Sequence, residues 1–211
     1  MTATIKAAFF DFGGVILSSP FEAFNRFEAR NGLPRDLIRT VNSTNPDTNA
    51  WARFERSDAS FDEFCDLFEA ECRALGHELS ARELMPLLSG EIRPAMVEAV
   101  RRCREQLVTA CLTNNWVSFS DHPVDGRGVG DVLLLFHHVV ESSKVGVRKP
   151  DPRFYELACE RAEVEPNEVV FLDDLGVNLK PAAVMGMTTI KVVDPTDALH
   201  QLEQVVGFSL G

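Results

Sequence analysis

The sequence predicts an α/β protein: a doubly wound parallel sheet of five strands, with a block of α-helices inserted after the first strand. Three observations carry this. Ile5 to Asp11 is a short, nearly continuous apolar run with one acid at its end, the pattern of a strand buried on both faces. From about residue 94 the chain alternates helix-period segments with short strand-like runs, the rhythm of right-handed β–α–β crossovers. Between these regions no second strand-like run occurs, and the segments read as amphipathic helices. The expected division is 1–15 with 94–211 as a sheet-bearing core, and 16–93 as an inserted helical cap.

The elements follow in order. Behind Asp11 come Gly13 and Gly14, then Val15 to Leu17, and Ser18-Ser19-Pro20 marks a turn from which Pro20 opens a helix to about 31. Further helices are expected at about 35–43, 49–57, 61–76 and 81–89, with a loop rich in Asn, Ser, Thr, Pro and Asp from Asn42 to Asn49. Ser60 with Glu63 and Ser80 with Glu83 both match the capping box, in which hydroxyl and carboxyl each satisfy an orphan backbone donor.

Pro94 to Gln106 reads as a helix and Leu107 to Thr113 as the second strand, followed by an irregular stretch from Asn114 to Gly130. The third strand is expected at His137 to Glu141. Asp151-Pro152 supplies an N-cap acid followed by an N1 proline for a helix to Ala162. The fourth strand, Val169 to Leu172, ends on Asp173-Asp174. A helix from Asn178 to Met185 stops at Gly186, the fifth strand is Thr188 to Val193, and Asp194-Pro195 starts a last helix to about Gly207.

Composition narrows the function. With 21 basic and 32 acidic residues the formal charge is −11, which disfavours a basic surface for a nucleic-acid backbone and leaves no polybasic cluster for a membrane. No apolar run approaches the roughly 18 residues of a membrane span. The first ten residues hold one lysine and too short an apolar stretch for a secretory signal, so the cytoplasm is the default location. Five scattered cysteines without a CxxC pair read as reduced core residues; Cys65 and Cys72, seven apart, would need two further ligands to hold zinc. The oligomeric state stays open between a monomer and a homodimer.

Three strands end on polar residues: Asp11, Thr113-Asn114 and Asp173-Asp174. Carboxyl ends of parallel strands share one edge, so these groups and Lys149, in the loop after the third strand, can converge in one crevice. Three crowded carboxylates repel unless they share a cation, and hard oxygen ligands suit Mg²⁺. If Asp11 also attacks, the cation and Lys149 neutralise an anionic substrate while the Thr113 hydroxyl binds its oxygens, which describes phosphoryl transfer through an aspartyl phosphate. Taken singly, Asp11 is equally a strand-end cap, Thr113-Asn114-Asn115 reads as turn chemistry, and Lys149 could be a solvated loop lysine, whereas two adjacent acids at Asp173-Asp174 exceed what helix N-terminal capping requires. His137 and His138 point to opposite faces of a strand and read as structural. Trp116 and Phe119 could equally line a pocket or an interface.

FFDFGGVI, ACLTNN, KPDPRFYE and VVFLDDLGVNLKPA, in that order, resemble the four motifs of the haloacid dehalogenase superfamily, with a helical cap between the first and second. The likeness extends to the amino-terminal phosphatase domain of soluble epoxide hydrolase and to the similar region attached to certain acyl-CoA dehydrogenases. The resemblance implies a HAD-like, Rossmannoid core acting on a small phosphorylated molecule. It implies Asp11 as nucleophile and Mg²⁺ ligand, Gly13 as a carbonyl ligand, Thr113 and Asn114 at the transferred group, and Lys149 holding Asp11 and the phosphoryl charge. Asp174 would be a direct metal ligand, Asp173 its support, and Asn178 would reach a metal-bound water. The family's phosphatases usually place a second aspartate two residues after the nucleophile; here that position is Gly13. Loss of a general acid/base removes about 10² to 10⁴ in rate. Metal-free hydrolysis of a 2-haloacid by the same aspartate, or a binding module that kept the fold, are the alternative readings.

Overall fold

A computed structural model describes residues 4–115 and 128–211. Trp116, Phe119 and most of the stretch expected to be irregular lie outside the described residues. Five parallel strands form one sheet: β1 (Ala7–Phe10), β2 (Val108–Thr113), β3 (His138–Glu141), β4 (Val169–Asp173) and β5 (Thr188–Lys191), in the order β3-β2-β1-β4-β5. β1 lies at the centre, with Phe10 level with Cys111 of β2 on one side and Leu172 of β4 on the other. All four of its residues are fully buried, which is why the run carries no alternation.

The period of two instead sorts its residues between two faces. Ala8 and Phe10, with Cys111, Val170, Leu172 and Ile190, pack under α5 (Pro94–Gln106) and α10 (Pro195–Val206). Ala7 and Phe9, with Ala110, Leu112, Val140 and Phe171, pack under α8 (Pro152–Ala162) and α9 (Gly176–Met185). The expected cap-plus-proline starts are present: the Asp151 carboxylate accepts from Arg153 N, and that of Asp194 from Thr196 N and Asp197 N. Short helices α6 (Val129–Leu133) and α7 (Ser142–Val145) flank β3. The first of these begins where only irregular chain was expected.

The helices α1 (Phe21–Arg30), α2 (Leu37–Ser43), α3 (Ala50–Glu55) and α4 (Phe61–Ala74) gather around a separate apolar cluster that includes Ile38, Phe54, Phe64, Phe68 and Cys72. Phe54 stacks on Phe64 with ring centroids 4.5 Å apart. The chain enters and leaves this block through one narrow neck, where Leu17 pairs antiparallel with Ile92 and Ser18 N donates to Glu91 O. The Ser60/Glu63 capping box forms in full.

The Ser80/Glu83 box does not, and the helix expected over 81–89 is two short 3₁₀ turns, Ala81–Glu83 and Met85–Leu88. Pro86 has no N–H to continue a helix through that stretch, and Glu69 of α4 accepts from Ala81 N. Acids from neighbouring helices serve two other starts as well. Glu28 takes Asp36 N and Ile38 N, and Glu71 takes Ala50 N.

All five cysteines are buried and unpaired, and His137 pairs its Nδ1 with Thr109 on the adjacent strand. Among the described residues no helix is long and apolar enough to cross a membrane.

Candidate active site

Strand order reverses between β1 and β4, so the carboxyl ends of these two strands flank the point where open α/β sheets bind ligands. Asp11 follows β1 directly, Asp173 closes β4, and Asp174 comes next. One oxygen from each of the three carboxylates can lie within 4.8 Å of the other two, and they form the one such acid cluster among the described residues. Lys149 reaches in from the loop before α8. Its Nζ donates to Asp11 Oδ1 at 2.8 Å and to Asp173 Oδ2 at 2.7 Å, with its side chain 1% exposed. Burial alone would pull the ammonium's pKa down, but Asp11 and Asp173 together drive it up.

The three acids are held differently. Asp173 is fully buried and saturated: Lys149 Nζ, Leu175 N and the Asn178 amide all donate to it. Asp11 spends Oδ1 on Phe12 N and on Lys149, while Oδ2 makes none of these bonds. Asp174 accepts a long 3.5 Å bond from Ser19 Oγ and takes none from Lys149 or Asn178 among the described residues. So Asp11 and Asp174 present oxygens to the crevice and Asp173 braces the set. Burial pushes the Asp11 carboxyl well above its usual pKa; Lys149 opposes this, and Asp173 and Asp174 add to it. Burial, then Asp173, push Asp174 up to about 6.

Three carboxylates against one ammonium leave an excess of two negative charges in a buried crevice, and hard oxygen donors are what Mg²⁺ takes. The residues therefore fit the metal that the sequence implies.

Thr113 ends the neighbouring strand β2, is 4% exposed, and its hydroxyl makes no hydrogen bond among the described residues. That leaves it open to an incoming anion. Two of the expected site amides also hold their neighbours. Asn114, expected at the substrate, clamps Lys149 through its main chain: Oδ1 accepts from Lys149 N at 2.9 Å and Nδ2 donates to Lys149 O at 3.0 Å. Asn178, expected to reach a metal-bound water, donates its Nδ2 to both oxygens of Asp173 at 3.1 Å. In this geometry both amides hold other site residues in place.

Gly13 and Gly14 differ in kind. Gly13 has φ −72° and ψ 131°, open to any residue, and a Cβ there would meet nothing within 4 Å. Gly14 has φ +78°, and a Cβ there would fall inside van der Waals distance of the Asp174 carboxylate. The Arg93 guanidinium pins this turn by donating to Gly14 O at 2.6 Å. Gly14 and Arg93 were not singled out from the sequence as site residues; the doubled glycine was the available signal. Gly14→Ala is expected to cost at least about 1–2 kcal/mol from the left-handed backbone alone, with displacement of Asp174 added. Denaturant melts beside those of Gly13→Ala check it: equal losses for the two variants would remove the special role of Gly14.

The fold and the acid cluster define a class, an α/β protein of Rossmannoid topology with a cation-ready site at the switch point. The chain belongs to the haloacid dehalogenase-like hydrolases, whose family profile matches residues 5–186. It is 35% identical to acyl-CoA dehydrogenase family member 10 of Mus musculus, covering 97% of this chain and 19% of that protein. Bifunctional epoxide hydrolase 2 of Sus scrofa is 33% identical, over 98% of this chain and 40% of that protein. The chain thus spans about a fifth to two fifths of these relatives. The sesquiterpene phosphatase astK of Aspergillus oryzae is 27% identical over 98% of this chain and its own full length. A HAD family enzyme of Bacteroides thetaiotaomicron, solved with magnesium and inorganic phosphate, superposes with a TM-score of 0.59 at 22% identity, covering 89% of this chain and 93% of that one.

Proposed function

We propose that this hydrolase is a Mg²⁺-dependent phosphatase of small phosphorylated molecules. The observation that carries the reading is the unequal bracing of the three acids: two offer oxygens to the crevice while Lys149 and Asn178 saturate the third. Asp11, Gly13 through its carbonyl, and Asp174 would hold the metal. Mg²⁺ bound there would polarise the phosphoryl group and offset its charge.

Asp11 attacks phosphorus, the bond to the leaving oxygen breaks, and an aspartyl phosphate forms on its carboxylate. Lys149 neutralises the transferred charge from the side, and the Thr113 hydroxyl donates to a phosphoryl oxygen. Water then cleaves the acyl phosphate, releasing orthophosphate and regenerating Asp11. With Gly13 in place of an acid, the departing alkoxide takes its proton from water, so good leaving groups are favoured. The helical block between residues 16 and 93 is the cap, and the two chain segments bridged at Leu17 and Ile92 are its hinge. The small phosphorylated substrate enters between block and sheet edge, in a cytoplasmic protein.

The test is a phosphomonoester panel assayed with and without chelator, alongside Asp11→Asn. Turnover that persists without metal would overturn the reading. The second reading, metal-free attack on a 2-haloacid, is favoured by Gly13, since dehalogenases also lack the second aspartate; it leaves the open Asp174 carboxylate without a role. Halide release that exceeds phosphate release would reverse the order.

The acids also set a pH dependence. The Asp174 pKa is raised from 3.8 to about 6, so folding favours its neutral form. Its contribution is fully present below about pH 4 and is lost as pH rises through about 6, an effect of about 3 kcal/mol. The metal-free protein should therefore lose stability over that window, with Asp11 acting in the same sense. Since a cation needs the ionised acids, the rise in Tm with excess Mg²⁺ should be small near pH 5 and large above about pH 7. Thermal melts across this range check it; a Mg²⁺ shift independent of pH would contradict the assignment.

A further inference from the structure

One buried ion pair joins the helical block to the catalytic edge. Glu55 ends α3, and its Oε2 lies 2.6 Å from Arg148 Nε, the two side chains being 8% and 18% exposed. Arg148 also donates to Pro46 O at 2.9 Å, on the loop before α3. Alongside, Ser142 Oγ donates to Glu55 O at 2.6 Å and accepts from Asn115 N at 2.9 Å, and Ser57 Oγ donates to Ser143 O. Thus residues 46–57 of the block are fastened to both ends of the segment 142–148, which runs from β3 to Lys149.

Charge burial between two packed units is a poor way to gain stability, because desolvation offsets most of the attraction and apolar contact would fasten them as well. What an ion pair adds is a fixed position. Arg148 is the residue before Lys149, whose main chain is already gripped by Asn114, the residue that follows β2. The lysine therefore has one anchor on the sheet and, one residue away, another on the helical block.

We propose that Glu55 is a positioning residue of the active site: by holding Arg148 it couples the seating of the helical block to the placement of the Lys149 ammonium between Asp11 and Asp173. With the block unseated, the segment 142–148 loses its outer support and Lys149 keeps only the Asn114 clamp. This inference rests on the phosphatase reading for its kinetic consequence, but not for its structural one.

The experiment compares wild type, Glu55→Gln, Arg148→Lys and the double variant Glu55→Gln/Arg148→Met by two readouts. The first is amide hydrogen exchange, in which Glu55→Gln should speed exchange about tenfold in peptides covering 142–149 and 50–57 and leave β5 and α10 unchanged. The second is steady-state kinetics on a phosphomonoester with Mg²⁺. A lysine displaced by about 1 Å costs on the order of 10²-fold, so kcat should fall about 10- to 100-fold with KM within about twofold.

Arg148→Lys, which keeps the charge but loses the guanidinium geometry, should show both effects in weaker form, and it answers the question should Glu55→Gln not fold. The double variant should recover stability, since no lone buried charge remains, but not kcat. Exchange that rises evenly over the chain, or a double variant with wild-type kcat, overturns the proposal and leaves the pair a structural fastener. If the wild type turns over no phosphoester, the phosphatase reading fails, and the exchange comparison still decides the positioning role.

Discussion

Asp11→Asn is expected to abolish phosphoester turnover, by at least about 10⁴-fold, while leaving the metal-free protein as stable as the wild type or more so. The two halves have separate causes. An amide is not a nucleophile; Asp173 cannot take over, because it is spent on Lys149, Leu175 and Asn178, and Asp174 is the carboxylate proposed to hold the metal. Stability should survive because asparagine keeps an oxygen for the two donors that Asp11 Oδ1 serves, Phe12 N at 2.7 Å and Lys149 Nζ at 2.8 Å. It should rise where the acid is ionised, because burial, Asp173 and Asp174 all oppose that charge. Melting curves near neutral pH with and without Mg²⁺ complete the test: the metal-free Tm holds or rises, and the Mg²⁺-induced gain shrinks. Undiminished turnover in this variant would sink Asp11 as the nucleophile; a large metal-free loss of stability would show that the acid is structural.

Such a trade, in which residues are less stable than their neutral analogues, marks a site kept for chemistry rather than for folding. The same logic explains what could be read from the sequence. Asp11 stood out because a charge at the end of a fully buried strand violates the local pattern, and the Asp173-Asp174 pair exceeds what helix capping requires. The sheet was legible because buried parallel strands are written in consecutive residues, and the starts at Pro152 and Pro195 because cap and proline are adjacent.

What escaped was non-local. Asn114 and Asn178 have the chemistry of ligands, and only their distances show that they clamp Lys149 and Asp173. Ser80 and Glu83 have the spacing of a capping box, but Pro86 and the Glu69 carboxylate decide that stretch. Glu55 and Arg148 are 93 positions apart, and no periodicity links them.

Gly13→Asp carries the other large expected effect, and in the opposite direction: a gain in kcat of about 10² to 10⁴ on phosphomonoesters with poor leaving groups, the range a general acid/base contributes. Backbone and space both permit it. Gly13 sits at φ −72° and ψ 131°, ordinary for any L residue, and a Cβ there meets no atom within 4 Å. Its neighbour could not accept the change, because Gly14 is left-handed and already lies against Asp174. The gain should depend on the leaving group, since only an alkoxide of high pKa needs the proton. Rates for aryl phosphates should change little and those for alkyl phosphates greatly, flattening the plot of log kcat against leaving-group pKa. A variant that folds, binds Mg²⁺ and leaves that slope unaltered would mean that position 13 does not face the leaving group. The crevice would then meet its substrate in an orientation different from the one in which Asp11, Lys149 and Thr113 share the phosphoryl group.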